Sequence, residues 1–516
     1  MKPRLPAGTA TIAVVVAAVL SLSACGASPE TQPTGEAKQE LTIAVPNISP
    51  PYNASNQANT ALRITSNVFD PLIFMDPTTG ELSPGIATSW TEVSDTEIDL
   101  KIRQDVVFHD GTPLTAEDVA FTLSAERLWG DKPLEPMAFA STLAGAEVID
   151  DETVRVSTKQ PDPTILLRLA SPMGFVAPKK LIETEGIEAF GLAPVGTGPY
   201  KVDSVSPGES VELSANDDYW GGKPPYESLT FRSVPEVSAR VSGLATGEYD
   251  IVTNLPPDQT ELVASNGQTT ESVQVNNAVN LTYLTAHTDS PIADARVRQA
   301  LALAIDQKSI NESFWGDGVP VPDGLNLPVY SDFYNDDEGA TSQDIKKAKK
   351  LLSEAGYNGE PLVLRYITGF YTNGDKALEA MLPMWEEAGI NIQLDAVADY
   401  TLLDWPSADI VLSSSNILIP DPVSPMWIDW AAPNSNYVAQ GRGINPPDFT
   451  AAAQEVAESL DEDDRKAAYD EATKLWNESP PALMLWQPLD IYGLGSGVDV
   501  APDPRYWLRL APVPSE

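Results

Sequence analysis

"DKALEAMLPMWEEAGINIQLDAV", residues 375–397, reads as a helix, a stop and a strand. Leu378, Met381, Leu382 and Trp385 recur at helical spacing. Gly389 supplies a residue able to adopt the left-handed conformation that closes a helix, and Pro383 predicts a kink. Beyond the glycine, Ile390, Ile392, Leu394 and Ala396 alternate with their neighbours, as a strand with one buried face requires. Helix followed at once by strand is the grammar of an α/β fold.

The same grammar extends in both directions. "DARVRQALALAID" (294–306) puts Val297, Leu301 and Ala304 on one helical face, and "SQDIKKAKKLLSEAG" (342–356) does so with Ile345, Ala348, Leu351 and Ala355 before stopping at Gly356. Upstream, the strand "LTIAV" (41–45), the loop "PNISPPYNAS" and a helical stripe at Leu62, Thr65, Val68 and Phe69 open a first α/β lobe. From about 80 to 195 the text changes to short β runs such as "EIDLKI" and "TVRVST" separated by Gly, Asp and Pro. One helix interrupts them, where Thr115 and Asp118 have capping-box spacing. After Tyr200 the α/β rhythm returns: Val237, Val241 and Leu244 are closed by Gly247 and followed by the strand "YDIV".

Composition narrows the class. The chain has 516 residues, 74 Asp plus Glu against 32 Lys plus Arg, and a formal charge of −42. Such a surface repels phosphate backbones, so no nucleic-acid partner is expected. With 42% hydrophobic residues and 11 Trp, it is a folded globule and not an acidic tail. Two histidines far apart, with neither HExxH nor G-x-S-x-G, offer no catalytic constellation, so an enzyme is not expected, nor a metal or other cofactor. His109-Asp110 in "FHDG" suits a tight turn better than acid–base chemistry.

The single cysteine, Cys25, stands in "LSACGAS" directly after a run from Ala10 to Ala24 that carries no charge and follows Lys2 and Arg4. That is the form of an export signal, and the Gly, Ser, Pro, Thr and Glu after it form a tether that cannot bury enough apolar surface to order itself. Leu22-Ser23-Ala24-Cys25 resembles the signal box of bacterial lipoproteins. The resemblance implies cleavage before Cys25, lipidation of its sulfur, and a lipid anchor at the outer face of the cytoplasmic membrane.

A second resemblance covers nearly the whole chain. "DPLIFMDPTTGELSPGIATSW" (70–90), "VVFHDGTPLTAEDV" (106–119), "GTGPYKV" (196–202), "NDDYWGGKP" (216–224), "LATGEYDIV" (244–252), "DARVRQALALAID", "KKLLSEAGY" (349–357) and "WEEAGINIQL" (385–394) follow the order found in extracellular solute-binding proteins of the peptide/nickel (family 5) ABC importers. The resemblance implies an α/β, two-lobed periplasmic-binding-protein fold of type II with an extra inserted, mostly β domain. The expected divisions are signal 1–24, tether 25–39, lobe I from 40–79 and 201–283, insert 80–200, lobe II 284–486, and a return to lobe I at 487–516. A monomer is expected, delivering a peptide or other small organic solute to the membrane subunits of an ABC permease. An oligosaccharide receptor and a secreted hydrolase are the competing readings.

Two stretches are expected at the cleft: "PNISPPY" (46–52), with Asn47, Ser49 and Tyr52, and "SSSNILIPDPVSPMWIDW" (413–430), with Asn416, Asp421 and Trp427. Tyr371 and Trp405 are aromatic candidates for stacking. In peptide-binding relatives a carboxylate near an Asp-Pro pair holds the ligand's amino group. Asp421-Pro422 supplies the pair, while Asn416, Ile417 and Leu418 occupy the usual place of the acid. Either Asp421 itself meets a ligand ammonium, or the solute has no free amine there. Where some dipeptide-binding relatives place an arginine for the ligand carboxylate, this chain has Thr368 and Gly369, with Arg365 nearby.

Overall fold

The computed structural model describes residues 38–514 except 51, 54–55, 57, 125–141, 286, 288, 317–318, 336–340, 400–401, 418 and 432–445. Cys25, the leader, nearly all of the tether and Leu418 lie outside the described residues. Among the described residues no helix is long and apolar enough to cross a membrane.

Two mixed sheets organise the chain. In spatial order the first contains Thr269–Gln274, Leu489–Leu494, Ile251–Val252, Glu40–Val45, Ser228–Ser233, Ser210–Ala215 and Tyr200–Ser206. Glu40–Val45 lies at its centre, parallel to both neighbours. Strand Glu40–Val45 has Leu41, Ile43, Ala44 and Val45 buried, as a central strand covered on both faces should. The second sheet runs Ile392–Val397, Leu362–Ile367, Ile410–Asn416, Asn277–Tyr283, Ala482–Trp486. Helices Ala295–Ala304, Ile345–Ala355 and Gly374–Ala388 pack on it, and the last runs unbroken through Pro383. Gly356 and Gly389 close two of these helices at φ 77 and 88, the left-handed stop that their positions predict. A third, antiparallel sheet of Ala87–Ser94, Glu97–Ile102, Thr153–Thr158 and Leu143–Asp150 lies within the expected insert.

Three expectations need correction. Asn277–Tyr283, expected as the end of lobe I, is an inner strand of the second sheet, because both its edges find partners there, at Ile410–Asn416 and Ala482–Trp486. Ser413–Asn416, expected as the start of a cleft loop, completes the strand Ile410–Asn416, where pairing with Asn277–Asn280 outweighs the loop preference of three serines. Finally, the tail of the insert is helical at Lys179–Glu185 and Ile187–Leu192, and Phe175, Ile182 and Phe190 join the core of the seven-stranded sheet.

Several sequence blocks meet at one buried carboxylate. Asp70 accepts hydrogen bonds from Thr197 Oγ1 (3.1 Å), Tyr219 Oη (3.1 Å), Trp220 Nε1 (2.8 Å) and Arg509 Nη2 (2.7 Å). This joins "DPLIF", "GTGPY", "NDDYWGG" and the C-terminal segment, and a buried acid needs such a set of donors. The turn at 196–198 must approach the end of helix Asn59–Val68 closely. A Cβ on Gly196 would lie 2.0 Å from the Val68 carbonyl oxygen. Beside this turn His109 accepts from the Gly196 N–H at Nδ1 (3.2 Å) and faces the Gly198 carbonyl through Nε2 (3.0 Å). Both ring nitrogens are used by the scaffold, and burial lowers the imidazole pKa to about 4.

The chain crosses between the two large sheets at 275–276 and again at 487–488. These crossings lie side by side: Val275 N–H donates to Pro488 O (3.0 Å) and Gln274 Nε2 to Gln487 O (2.6 Å).

Candidate functional site

A cavity of about 1210 Å³ opens between the two sheets. Its lobe I wall is built by Asn47 after the first strand, by the start of helix Asn59–Val68, and by Pro235, Val237 and Arg240 at the start of helix Val237–Thr246. Its lobe II wall contains Asn277, Ser414 and Asn416 on neighbouring strands, and the loop from Ile367 into helix Gly374–Ala388. Trp315 and Trp486 stand behind that loop, stacked at 4.4 Å and almost wholly buried. Phe370, 60% exposed, meets Tyr371 edge-on at 4.9 Å.

The charges on the two walls differ. Helix Asn59–Val68 is buried at every position from Thr60 to Val68, including Arg63. Arg63 pairs with Asp490 through Nη2, and its guanidinium lies over the rings of Tyr492 and Tyr506 at 5.7 and 5.4 Å. Burial is the largest influence and opposes the charge on Arg63, but Asp490 and Tyr492 together outweigh it and raise the pKa above the ordinary arginine value. Asp490 also accepts the Asn254 N–H (3.3 Å), and Asn254 stands in the left-handed region at φ 55. The Asn254 carbonyl in turn accepts Arg240 Nη2 (3.1 Å), while Arg240 Nη1 donates to the carbonyls of Val234 (2.7 Å) and Pro235 (2.8 Å). Burial, and then the like charge of Arg63, lower the Arg240 pKa to about 10. On the lobe II wall stand Asp375, Asp399 and Asp429 with the exposed Lys376. Asp375 is engaged by Thr368 Oγ1 (2.6 Å) and the Gly369 N–H (3.1 Å).

Of the residues singled out from sequence, the cavity brings together Asn47, Tyr371 and Asn416. Asn416 Oδ1 accepts from Asn277 Nδ2 at 2.7 Å. Ser49, Tyr52, Trp405, Asp421 and Trp427 do not line it. Tyr52 is fully buried in the lobe I core, and its N–H donates to Gly191 O (2.7 Å). Ser49 is exposed, its carbonyl accepting from Asn56 Nδ2 at 3.0 Å. Trp405 packs with Leu284, Leu403, Ala408 and Val411, and Trp427 packs against the apolar cores of the insert and of lobe II.

Asp421 is committed elsewhere. Arg465 Nη2 donates to both of its carboxylate oxygens at 2.9 Å, and the Val423 N–H donates to Oδ1 at 3.0 Å. In this geometry the Asp421 charge is matched by Arg465, away from the cavity lining. Arg365, considered for a ligand carboxylate, pairs with Asp395 (2.7 Å). Sequence reading misses Arg63, Arg240 and Asn277. The one local signal is a cation inside each of two apolar helical runs, a pattern that also fits an arginine on a solvated face.

Residues 81–437, more than half of the chain, match the family model of bacterial extracellular solute-binding proteins, family 5. The chain belongs to this family. It is 27% identical over 369 residues to heme-binding protein A of Haemophilus influenzae, covering 66% of this chain and 64% of that protein. It is 28% identical over 354 residues to the glutathione-binding protein GsiB of Shigella flexneri, covering 67% of each. In fold it resembles the dipeptide-binding protein from Pseudoalteromonas sp. SM9913 in complex with Met-Leu, with a TM-score of 0.81 at 21% identity over 92% of this chain and 99% of that one. The two-lobed α/β fold of periplasmic binding proteins thus extends over nearly all of the chain. Among the described residues no group of three or more His, Cys, Asp or Glu is placed to hold a metal ion.

Proposed function

We propose that this protein captures a small peptide-like solute between its lobes and delivers it to the membrane subunits of an ABC importer, held at the outer face of the cytoplasmic membrane by lipid on Cys25. The observation that carries the reading is the cavity itself. About 1210 Å³ lies between two sheets joined by two adjacent crossings, and both walls offer polar groups. That volume is larger than most drug-sized pockets need and suits a short peptide. The crossings at 275–276 and 487–488 act as the hinge, and the lobes take their boundaries there, with the insert packed on lobe I. Closure is selected by a solute that touches both walls at once.

Peptide is preferred to oligosaccharide because the lining tryptophans, Trp315 and Trp486, are buried against each other. Sugar sites usually present open aromatic faces, and among the described lining residues Phe370 is the strongly exposed ring. The test is mass spectrometry of whatever solute is released from the purified protein by mild denaturation, followed by thermal shift with that solute. A solute that ignores the unfolded chain stabilises the protein by about 2.7 kcal/mol at a hundredfold excess over its Kd. Release of oligosaccharides, with no response to any peptide, overturns the preference.

A further inference from the structure

We propose that the solute carries an anionic group, in a peptide its terminal carboxylate, seated on the lobe I wall against Arg63 and Arg240. This rests on reading the cavity as the solute site and names the chemistry it selects.

Three independent features converge on that wall. The first is a charge imbalance. Arg63 and Arg240 are 0% and 2% exposed; Asp490 pairs with Arg63 directly and reaches Arg240 only through the Asn254 peptide, while the exposed Glu236, N-cap of helix Val237–Thr246, attracts Arg240 without a hydrogen bond. Arg240 itself donates to carbonyl oxygens alone. A buried guanidinium without a counter-charge is expensive, and two near each other more so.

The second feature is unused donors. Arg63 Nη1 and Arg240 Nε are buried and have no hydrogen-bond partner, and both residues line the cavity. Native proteins rarely leave such groups unmatched, so each calls for an explanation. A carboxylate supplies two acceptor oxygens in the planar geometry that guanidinium groups favour.

The third feature is the backbone. Arg63 and Arg240 stand in the first two turns of helices Asn59–Val68 and Val237–Thr246, whose first turns hold no acidic residue and whose N-caps make no side-chain bond. Both helix starts line the cavity. A cation near a helix N-terminus is disfavoured by the helix dipole, whereas an anion there is stabilised. Burial, the repulsion between the two arginines and the two helix dipoles oppose further positive charge at this wall and favour a negative one. The lobe II wall carries three acids, Asp375, Asp399 and Asp429, and one cation, Lys376. A solute with separated charges is therefore oriented, anionic end toward lobe I.

The test uses the full-length purified protein and two pairs of probes. One pair is a random tripeptide pool as free acids and the same pool as C-terminal amides; the other is uronate-bearing oligosaccharides and their neutral counterparts. Retention is read by mass spectrometry after equilibrium dialysis. Free acids retained at least tenfold over amides support the proposal, and Arg240→Gln is expected to erase that difference while Arg240→Lys keeps part of it. Should Arg240→Gln fail to fold by circular dichroism, the wild-type comparison decides alone. Equal retention of acids and amides overturns the anion inference and leaves the peptide reading standing. Acidic sugars retained over neutral ones, with no peptide bound, overturn the peptide reading and leave the anion inference standing. Equal retention of both sugars, or retention of nothing, overturns both.

Discussion

Replacing Asp421 by Asn separates two roles that its sequence context leaves open. In the structure its carboxylate is 6% exposed, faces an Arg465 side chain 9% exposed, and takes two hydrogen bonds of 2.9 Å from Nη2. The amide would keep the shape and an oxygen for the Val423 N–H, but it would leave the Arg465 charge unmatched. Breaking one side of a buried pair costs about 3–5 kcal/mol. Arg465 retains the Val456 carbonyl at 2.9 Å and the face of Phe333 at 5.0 Å, so the loss belongs at the lower end, about 3 kcal/mol. Urea unfolding of wild type and Asp421→Asn, followed by tryptophan fluorescence, measures it. The double change Asp421→Asn with Arg465→Met removes the orphaned charge and should recover most of the loss, since apolar replacement of a whole buried pair is often neutral. Affinity for the released solute, measured by calorimetry below the unfolding transition, should stay within about twofold because Asp421 does not line the cavity. A hundredfold loss of affinity with unchanged unfolding would refute the reasoning and return Asp421 to the ligand.

Two further outcomes are expected. The unfolded His109 imidazole takes a proton below about pH 6.5, but the folded one only below about 4, so stability falls as pH drops through this window, by roughly 3 kcal/mol from this group. His109→Gln should flatten the decline between pH 6.5 and 4 in acid-titrated urea unfolding; an unchanged slope shows that His109 is not the cause. Cys25→Ser should leave an uncleaved precursor or a protein shed into the medium with its fold intact, and membrane retention of the mature variant sinks the lipid anchor.

The parts of the fold that sequence discloses are those set by one or two neighbouring residues. Gly247, Gly356 and Gly389 each supply the left-handed stop that ends a helix, and Thr115 with Asp118 forms the capping box that its spacing predicts. The alternation is visible through Ile390, Ile392 and Leu394 in an edge strand that keeps a solvent side, but it breaks at Asp395, and Ala396, expected on the buried face, is exposed. Inner strands lose that signal. Asn277–Tyr283 is buried at every residue, so nothing alternates, and its polar Asn277 and Asn280 disguise it as a lobe boundary. "SSSN" has loop composition and is strand by virtue of partners more than 100 residues away.

The site is less legible than the fold for a related reason. A charged residue declares neither its burial nor its partner. Arg63 meets Asp490 across a separation of 427 residues, and Asp421 meets Arg465 across 44. Before those pairings are known, Asp421 looks free for a ligand and Arg63 looks like part of a solvated helix face. Once they are known, Asp421 is matched by Arg465, while Arg63 Nη1 and Arg240 Nε keep no hydrogen-bond partner. Asp490 also lies two residues beyond the crossing at 487–488, so the carboxylate paired with Arg63 sits beside the proposed hinge. On the proposed reading, an anion at that wall would change the electrostatics of the segment assigned as the hinge. Matching family blocks one by one leaves these residues unremarked, since Arg63 precedes the first block, Arg240 lies between two, and Asp490 follows the last.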